Sequence, residues 1–247
     1  MKIYVINGNT NLAVSQEIDK AAQEAAFNGT EIRMITPEKG PATVEGYLDG
    51  QISALAVCEE IAKYHQEADA FVIACFSDPG LNAARDITTK PIVGIAEASM
   101  VTAVQLGHQF SLLTPLTRLK PVLRRLVFHY GFMDHLASIE TVEFSVGELT
   151  INKAMREHAF FTAGDEAIRK QGAEVLILAG AVLVGLEKTL SKKLNVPVLD
   201  PVKSAVAQAQ VLVKQNLFTS HIGGFSMPNP KDCINCPKSL NLLYKPD

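Results

Sequence analysis

Short runs of Val, Ile and Leu alternate along the chain with longer segments in which apolar positions recur at helical spacing. Continuous apolar runs of this length are typical of strands covered on both faces, as in parallel sheets with helical crossovers. The pattern predicts strands near residues 2–6, 31–35, 70–74, 92–95, 109–113, 138–142, 174–178 and 197–199. It predicts helices near residues 11–27, 51–66, 79–87, 96–106, 116–130, 148–171, 182–193 and 201–215. The expected fold class is therefore α/β, with parallel-type sheets flanked by helices.

One predicted strand and the turn after it are repeated in the second part of the chain. The segment from Ala68 to Cys75 and the segment from Ala173 to Gly180 both run seven steps from an alanine to the end of the strand. The strand that begins after Gly107 likewise resembles the opening strand of the chain. Such a repeat predicts two pseudo-symmetric half-domains whose strand ends face a shared cleft, the expected active site.

The same pattern divides the chain into regions. We assign residues 1–105 to half-domain one and residues 106–199 to half-domain two. Residues 200–215 form a last predicted helix that could pack back onto half-domain one. Residues 216–247 are rich in Gly, Pro, Asn and Lys and show little periodicity, which indicates an irregular tail.

Composition narrows the class of protein. The 247 residues are 47% hydrophobic and 20% charged, the values of an ordinary globular protein. The net charge of −3, without a basic stripe, argues against a nucleic-acid partner. No apolar run approaches the roughly 18 residues that span a bilayer, so we expect no membrane partner. Met1 and Lys2 run directly into the first strand, so we expect no secretory leader and a cytoplasmic protein.

Four predicted strand ends carry residues suited to holding a small ligand. Parallel sheets bind ligands at the carboxyl ends of their strands, where hydroxyl, amide and backbone N–H groups can meet a carboxylate or an imide. Each turn taken alone is more typical of an ordinary capped connection between strand and helix. Four of them at matched positions favour a shared cleft. The candidates are Asn9, Thr10, Ser77, Thr114 and Thr117, with backbone groups of Gly180 and Ala181.

Cys75 is the candidate for chemistry at these strand ends. It is the last residue of its predicted strand and lies shortly before a predicted helix start at Asp78 and Pro79. A helix N-terminus stabilises a thiolate, so we expect a lowered pKa and a reactive sulfur. Cys58, by contrast, lies on an apparent helix face and is expected to fill the core.

Several motifs together resemble one enzyme family, over roughly residues 1–215. The chain resembles the aspartate/glutamate racemase superfamily, and within it the hydantoin and allantoin racemase branch. The resemblance rests on Ile6-Asn7-Gly8-Asn9-Thr10, Ala74-Cys75-Phe76-Ser77-Asp78-Pro79-Gly80-Leu81, Pro91-Ile92-Val93-Gly94-Ile95-Ala96-Glu97-Ala98 and Val196-Pro197-Val198-Leu199-Asp200.

The resemblance implies a cofactor-independent racemase or epimerase. Its substrate would be a small molecule, an amino acid, hydantoin or related ureide that inverts at the carbon next to a carbonyl. Members of the branch use two cysteines, one on each face of that carbon, and commonly self-associate, which implies a homo-oligomer. Cys75 matches the first cysteine and would be the catalytic thiolate.

The second catalytic cysteine of the family is replaced by Gly180 in this chain. Several interpretations follow. Cys75 could act as a sole base, with protonation by water or by the substrate on the other face. The tail thiols could reach the cleft, or the glycine could be an introduced substitution. The protein could instead decarboxylate malonate-type acids from one face, or bind small carboxylates without catalysis. Glu187, the next titratable group, lies about two helical turns away, too far to replace a thiol.

The remaining polar residues add little to the chemistry. Cys233 and Cys236 supply two ligands where a structural zinc site needs four, even with His221 as a third. We therefore expect no metal at these two cysteines and an incidental, reduced thiol pair. The weaker alternatives are a metal site completed by a second subunit and a redox-active pair. Arg118 could meet an anionic substrate, but we expect it to be exposed. The shortage of cationic residues at the cleft turns favours a neutral or monoanionic ligand.

Overall fold

A computed structural model describes residues 1–143 and 153–244 of the chain. The first sheet contains β1 (Lys2–Asn7), β2 (Glu31–Ile35), β3 (Ala70–Ala74) and β4 (Ile92–Gly94), and the second contains β5 (Phe110–Thr114), β6 (Leu136–Thr141), β7 (Val175–Leu178) and β8 (Val198–Leu199). The strand orders are β2-β1-β3-β4 and β6-β5-β7-β8, so both sheets repeat one topology. All the paired strands run parallel, which confirms the predicted α/β class.

Helices connect these strands and cover the sheets. They are α1 (Leu12–Ala25), α2 (Tyr47–Tyr64), α3 (Leu81–Arg85), α4 (Ile95–Leu106), α5 (Lys120–His129), α6 (Lys153–Gln171), α7 (Glu187–Leu194), α8 (Pro201–Lys214) and α9 (Lys238–Tyr244). In the part of the chain that the structure describes, no helix has the length and apolar character needed to cross a membrane.

The boundaries of some helices differ from the predicted ones, in one case because of a glycine and in another because the first residues are exposed. The helix predicted from residue 182 is split into a 3-10 turn (Ala181–Leu183) and α7, because Gly185 between them has a φ of +86°. α2 starts earlier than predicted, since its first residues, Tyr47 and Leu48, are exposed and add nothing to the apolar period. The start of the helix predicted at residues 148–171 lies outside the described residues.

One apolar cluster fills the space between the two sheets. Ile3, Val5 and Val72 from the first sheet share it with Leu112 and Ile177 from the second, and all five are fully buried. The free energy gained by burying such side chains, about 1.5–3 kcal/mol each, makes the joint packing of the sheets a large stabilising term. The two sheets therefore share one core.

Helix α8 belongs to this shared core although it follows the last strand of the second sheet. Val202, Ala205 and Val206 are buried in the same cluster as residues of α1 and α4. Farther along α8, the side-chain oxygen of Gln210 accepts hydrogen bonds from the Phe27 N–H (2.6 Å) and the Thr30 hydroxyl (2.8 Å). The domain boundaries near residues 105 and 199 stay a prediction.

Asp78 ties three elements together next to the end of β3. Its buried carboxylate accepts hydrogen bonds from the backbone N–H groups of Ala96 (3.1 Å) and Glu97 (2.9 Å) at the start of α4. It also accepts one from the hydroxyl of Tyr130, at the end of α5 (2.8 Å). A Cβ atom on Gly94 would lie 2.4 Å from this carboxylate, so only glycine permits the close approach. The contact fixes the loop that follows Cys75.

We expect Asp78→Ala to lower the free energy of unfolding by about 2–4 kcal/mol, because two helix N–H groups and a buried hydroxyl lose their acceptor. Urea denaturation followed by circular dichroism measures the change. Asp165→Ala is the control, since it removes only an exposed ion pair with Arg169, and it should cost no more than about 0.5 kcal/mol. Equal unfolding midpoints for the two variants would contradict the role assigned to Asp78.

Candidate active site

A cavity of about 90 Å³ lies where the carboxyl ends of the central strands of both sheets meet. The first sheet contributes the residues around Cys75, and the second contributes the residues around Gly180. α5 and the loop before α2 complete the wall. The lining residues are Asn9, Val14, Thr43, Val44, Glu45, Ala74, Cys75, Phe76, Ser77, Pro115, Leu116, Leu119, Val122, Leu123, Ala179, Gly180 and Ala181.

Parallel pairing places Cys75 in this wall. Asn7 of β1 is in register with Ala74 of β3, so the next residues, Gly8 and Cys75, leave the sheet side by side. The two are so close that a Cβ on Gly8 would lie 2.5 Å from the Cys75 Cβ. The Cys75 sulfur is 3.5 Å from the Ser77 hydroxyl. The half-buried thiol is thus held between a glycine backbone and a hydroxyl.

The pKa of the Cys75 thiol is shifted upward, which is opposite to the expected direction. Removal from water raises the pKa, while hydrogen bonds from the Ser77 hydroxyl and backbone lower it and the Asp78 carboxylate raises it. The expected helix dipole is weak here because α3 has only five residues and starts at Leu81. Burial therefore outweighs the local helix.

The other free thiol takes no part in this cavity. Cys58 is buried on α2 at 7% exposure, which confirms its expected place in the core. Burial raises the pKa of its thiol to about 12. Cys75 is therefore the free cysteine that a ligand in the cavity can meet.

The wall contributed by the second sheet presents backbone and small side chains. Ala179, Gly180 and Ala181 line it, and they carry no group that can give up a proton. The Gly180 N–H donates to the Leu178 carbonyl at 2.8 Å, so this expected donor is used within its own turn. Glu187 instead forms a 2.8 Å ion pair with Lys203 and does not line the cavity. It is the first residue of α7, so the expectation that it lies two turns inside a helix is wrong, because the helix starts only after Gly185.

The turn after β1 is held in shape by its own asparagines. The Asn7 side-chain oxygen accepts from the Asn9 N–H at 3.1 Å, and the Asn9 side-chain oxygen accepts from the Asn11 N–H at 2.9 Å. Asn11 in turn caps α1 by accepting from Ala13 and Val14. The amide oxygen of Asn9 is thus occupied, and its NH₂ group is the part with remaining capacity to donate to a ligand.

Five of the predicted site residues line the cavity together: Asn9, Cys75, Ser77, Gly180 and Ala181. The three predicted threonines do not. The Thr10 hydroxyl lies 3.5 Å from the Pro41 carbonyl, and Thr117 is exposed and bonded to Thr141 and Glu143. Thr114 is fully buried, and its hydroxyl has no hydrogen-bond partner among the described residues.

Comparison with known proteins decides the family. The family model described as Asp/Glu/Hydantoin racemase matches residues 3–209. A hydantoin racemase from a Pseudomonas species is 39% identical over 95% of this chain and 94% of its own length. The chain belongs to the Asp/Glu/Hydantoin racemase family.

Solved structures agree with this assignment. An allantoin racemase from Klebsiella pneumoniae superimposes with a TM-score of 0.94 at 36% identity, covering 98% of this chain and 99% of that one. An allantoin racemase from Pseudomonas fluorescens gives a TM-score of 0.92 at 33% identity, covering 95% of this chain and 100% of that one. The predicted isomerase class and the predicted branch of the family are confirmed.

The sequence reasoning missed much of the wall of this racemase cavity. Thr43, Val44 and Glu45 come from the loop between β2 and α2, and Val122 and Leu123 come from α5. The loop has no periodicity that would point to a ligand. The one feature of the loop sequence that could have indicated a binding site is a cluster of Pro and Gly around a Thr and a Glu.

The tail of this family member differs from the expected thiol pair. Cys233 and Cys236 are joined as a disulfide, so the expectation of a reduced pair is wrong for this structure. Within residues 1–143 and 153–244, no three His, Cys, Asp or Glu side chains come together as a metal site would require. Neither Cys233 nor Cys236 lines the cavity, so the tail thiols do not replace the missing cysteine there.

We expect alkylation of Cys75 by iodoacetamide to reach half its maximal rate at a higher pH than free cysteine does, because burial disfavours the thiolate. Ser77→Ala should move this midpoint higher still, since it removes the hydroxyl whose hydrogen bond lowers the pKa of the Cys75 thiol. Mass spectrometry of the Cys75 peptide across pH measures both midpoints, and Cys58 serves as the buried, unreactive reference. A midpoint below that of free cysteine would refute the burial argument.

Proposed function

We propose that this protein racemises five-membered cyclic ureides such as 5-substituted hydantoins, with Cys75 as the proton-abstracting thiolate. The observation that carries the proposal is a single thiol in an apolar cavity opposite the bare backbone of Gly180. The activities named for the relatives, hydantoin and allantoin racemisation, support the same substrate class.

The lining of the cavity supports a neutral substrate over a dicarboxylate. Among the described residues that line it there is no Lys, Arg or His, and the titratable ones are Cys75 and Glu45. An amino dicarboxylate would lose its hydration there without gaining a cationic partner, which is costly. A hydantoin ring brings polar but uncharged groups and a carbon acid flanked by a carbonyl.

The first step is removal of the proton at the ring carbon. The Cys75 sulfur takes the proton, and the electron pair of the broken C–H bond moves onto the neighbouring carbonyl oxygen as an enolate. The Ser77 hydroxyl and the Asn9 NH₂ group are the lining donors suited to hold that oxygen. Burial of the thiol makes its thiolate a stronger base once it is formed.

The second step decides between inversion and retention. Return of the proton from Cys75 restores the starting enantiomer. Protonation on the opposite face needs another donor, and we assign this role to a water molecule beside Gly180. Solvent carries the proton from Cys75 to the hydroxide that is left behind, so the cycle ends with no net gain or loss of protons. One thiol thus suffices for racemisation, at a lower rate than two would give.

The first test follows hydrogen exchange at the ring carbon. With one enantiomer of 5-benzylhydantoin in D2O, we expect deuterium in the inverted product, detected by chiral chromatography and mass spectrometry. Cys75→Ser should slow exchange by about 10²–10⁴-fold, because the base is lost. Cys58→Ala, which removes the thiol outside the cavity, should retain activity. If Cys75→Ser does not change the rate of hydrogen exchange, Cys75 is not the base.

A second test restores the missing partner. Gly180→Cys should raise the rate of inversion by about 10²-fold, since a positioned acid replaces water on the opposite face. Gly180→Ala is the matched control, because it adds a side chain without a proton donor and should not accelerate inversion. Equal rates in Gly180→Cys and the unaltered protein would show that reprotonation at this face does not limit the reaction.

The single thiol also favours a second candidate, one-faced decarboxylation of a malonate-type acid. Loss of CO2 from a disubstituted malonate, without racemisation of any hydantoin, would select it. Ligand binding without turnover would indicate a binding protein without catalytic activity.

As for assembly and location, we propose a homo-oligomer that works in the cytoplasm. Its exposed apolar residues Phe218, Ile222 and Ile234 support self-association.

A further inference from the structure

Glu45 is, beside Cys75, the other titratable residue among the described residues that line the cavity, and the reaction above leaves it without a role. It lines the same wall as Cys75 and is half-buried. Its backbone N–H is held by the Asp49 carboxylate at 3.0 Å. Its own carboxylate has no hydrogen bond or ion pair with any residue that the structure describes. A half-buried acceptor of this kind is available to a ligand.

The loop that carries Glu45 is fixed at both ends. The Thr10 N–H donates to the Pro41 carbonyl at 3.1 Å, which joins one end to the turn after β1. At the other end the Gly50 N–H donates to the Gly46 carbonyl at 3.0 Å, in the first turn of α2. A site residue on a segment anchored in this way keeps its position when a ligand binds.

The charged side chains near Glu45 include both a carboxylate and a cation. Asp49 on the neighbouring turn is a second carboxylate. A cation also lies beside this loop, since the Arg118 guanidinium would be 2.9 Å from a Cβ built on Gly46. Arg118 is exposed and forms no ion pair with Glu45 within 4 Å. The described residues that line the cavity thus include one carboxylate, that of Glu45, and no cation, since Arg118 is exposed and does not line it.

We propose that Glu45 selects neutral substrates that carry N–H donors and excludes carboxylates. This inference rests on the proposed racemisation of cyclic ureides. A hydantoin ring has two N–H groups that can donate to the Glu45 carboxylate, and hydrogen bonds to a charged acceptor are among the stronger ones. An anionic ligand would place two like charges next to each other in an enclosed cavity, which is costly. Glu45 is thus a specificity residue of the site.

The test compares two ligands that differ by ring closure. Hydantoin is neutral and undergoes no net turnover, and its ring-opened counterpart hydantoate is a carboxylate. Isothermal titration calorimetry should show hydantoin binding at least about tenfold more tightly to the unaltered protein. Glu45→Gln keeps a hydrogen-bond acceptor but removes the charge. It should reduce the ratio of hydantoin affinity to hydantoate affinity by about fivefold or more, mainly by strengthening hydantoate binding.

Glu38→Gln is the matched control, because Glu38 lies in the same loop, is exposed and does not line the cavity. It makes the same change of charge and should leave the ratio unaltered. Glu45→Ala should weaken hydantoin binding more than Glu45→Gln does, since it removes the acceptor as well. Circular dichroism checks that each variant is folded.

The results separate this inference from the proposed function. The role of Glu45 is overturned if Glu45→Gln leaves the ratio of hydantoin affinity to hydantoate affinity unchanged. It is also overturned if the unaltered protein binds hydantoate more tightly than hydantoin. Either result counts even if hydantoins are racemised. A narrowed ratio supports that role even if no hydantoin turns over. An equal shift in Glu38→Gln would mean that net charge alone sets the preference, which also overturns the proposal.

Discussion

The packing of two parallel sheets against one apolar cluster is the constraint on which the site depends. Ile3 and Val72 of the first sheet share this cluster with Leu112 and Ile177 of the second. Burial of those side chains fixes how the sheets face each other. Because the strands in both sheets are parallel, their carboxyl ends open towards one cavity. Neither sheet alone provides both walls.

The surroundings of Cys75 show how a strand end becomes a reactive position. Register with β1 brings Gly8 against the Cys75 side chain, while Ser77 supplies a hydroxyl at 3.5 Å. Asp78 fixes the following loop by binding the start of α4 and the hydroxyl of Tyr130. The thiol is therefore held in place by contacts from both parts of the chain. The same enclosure removes it from water and raises its pKa.

The two halves repeat a backbone plan, but they have diverged in chemistry. The end of β3 carries a thiol, while the matching end of β7 carries Gly180 and small neighbours. The end of β1 is stabilised by a chain of asparagine hydrogen bonds, whereas the buried Thr114 hydroxyl at the end of β5 has no hydrogen-bond partner among the described residues. Symmetric topology thus supports an asymmetric site, with the polar groups concentrated on one wall and the loop of Glu45 added to it.

The sequence by itself determined the strands, the repeat, the family and the place of Cys75 and Gly180 at matching strand ends. These features are local, because the apolar period and the residue at a strand end are visible within a few positions of the chain. Only the tertiary structure decided that Glu45 and α5 line the cavity, that Thr117 faces solvent, and that the Cys75 pKa is raised. Those outcomes depend on which distant segments meet and how much water they displace, and no local pattern encodes either.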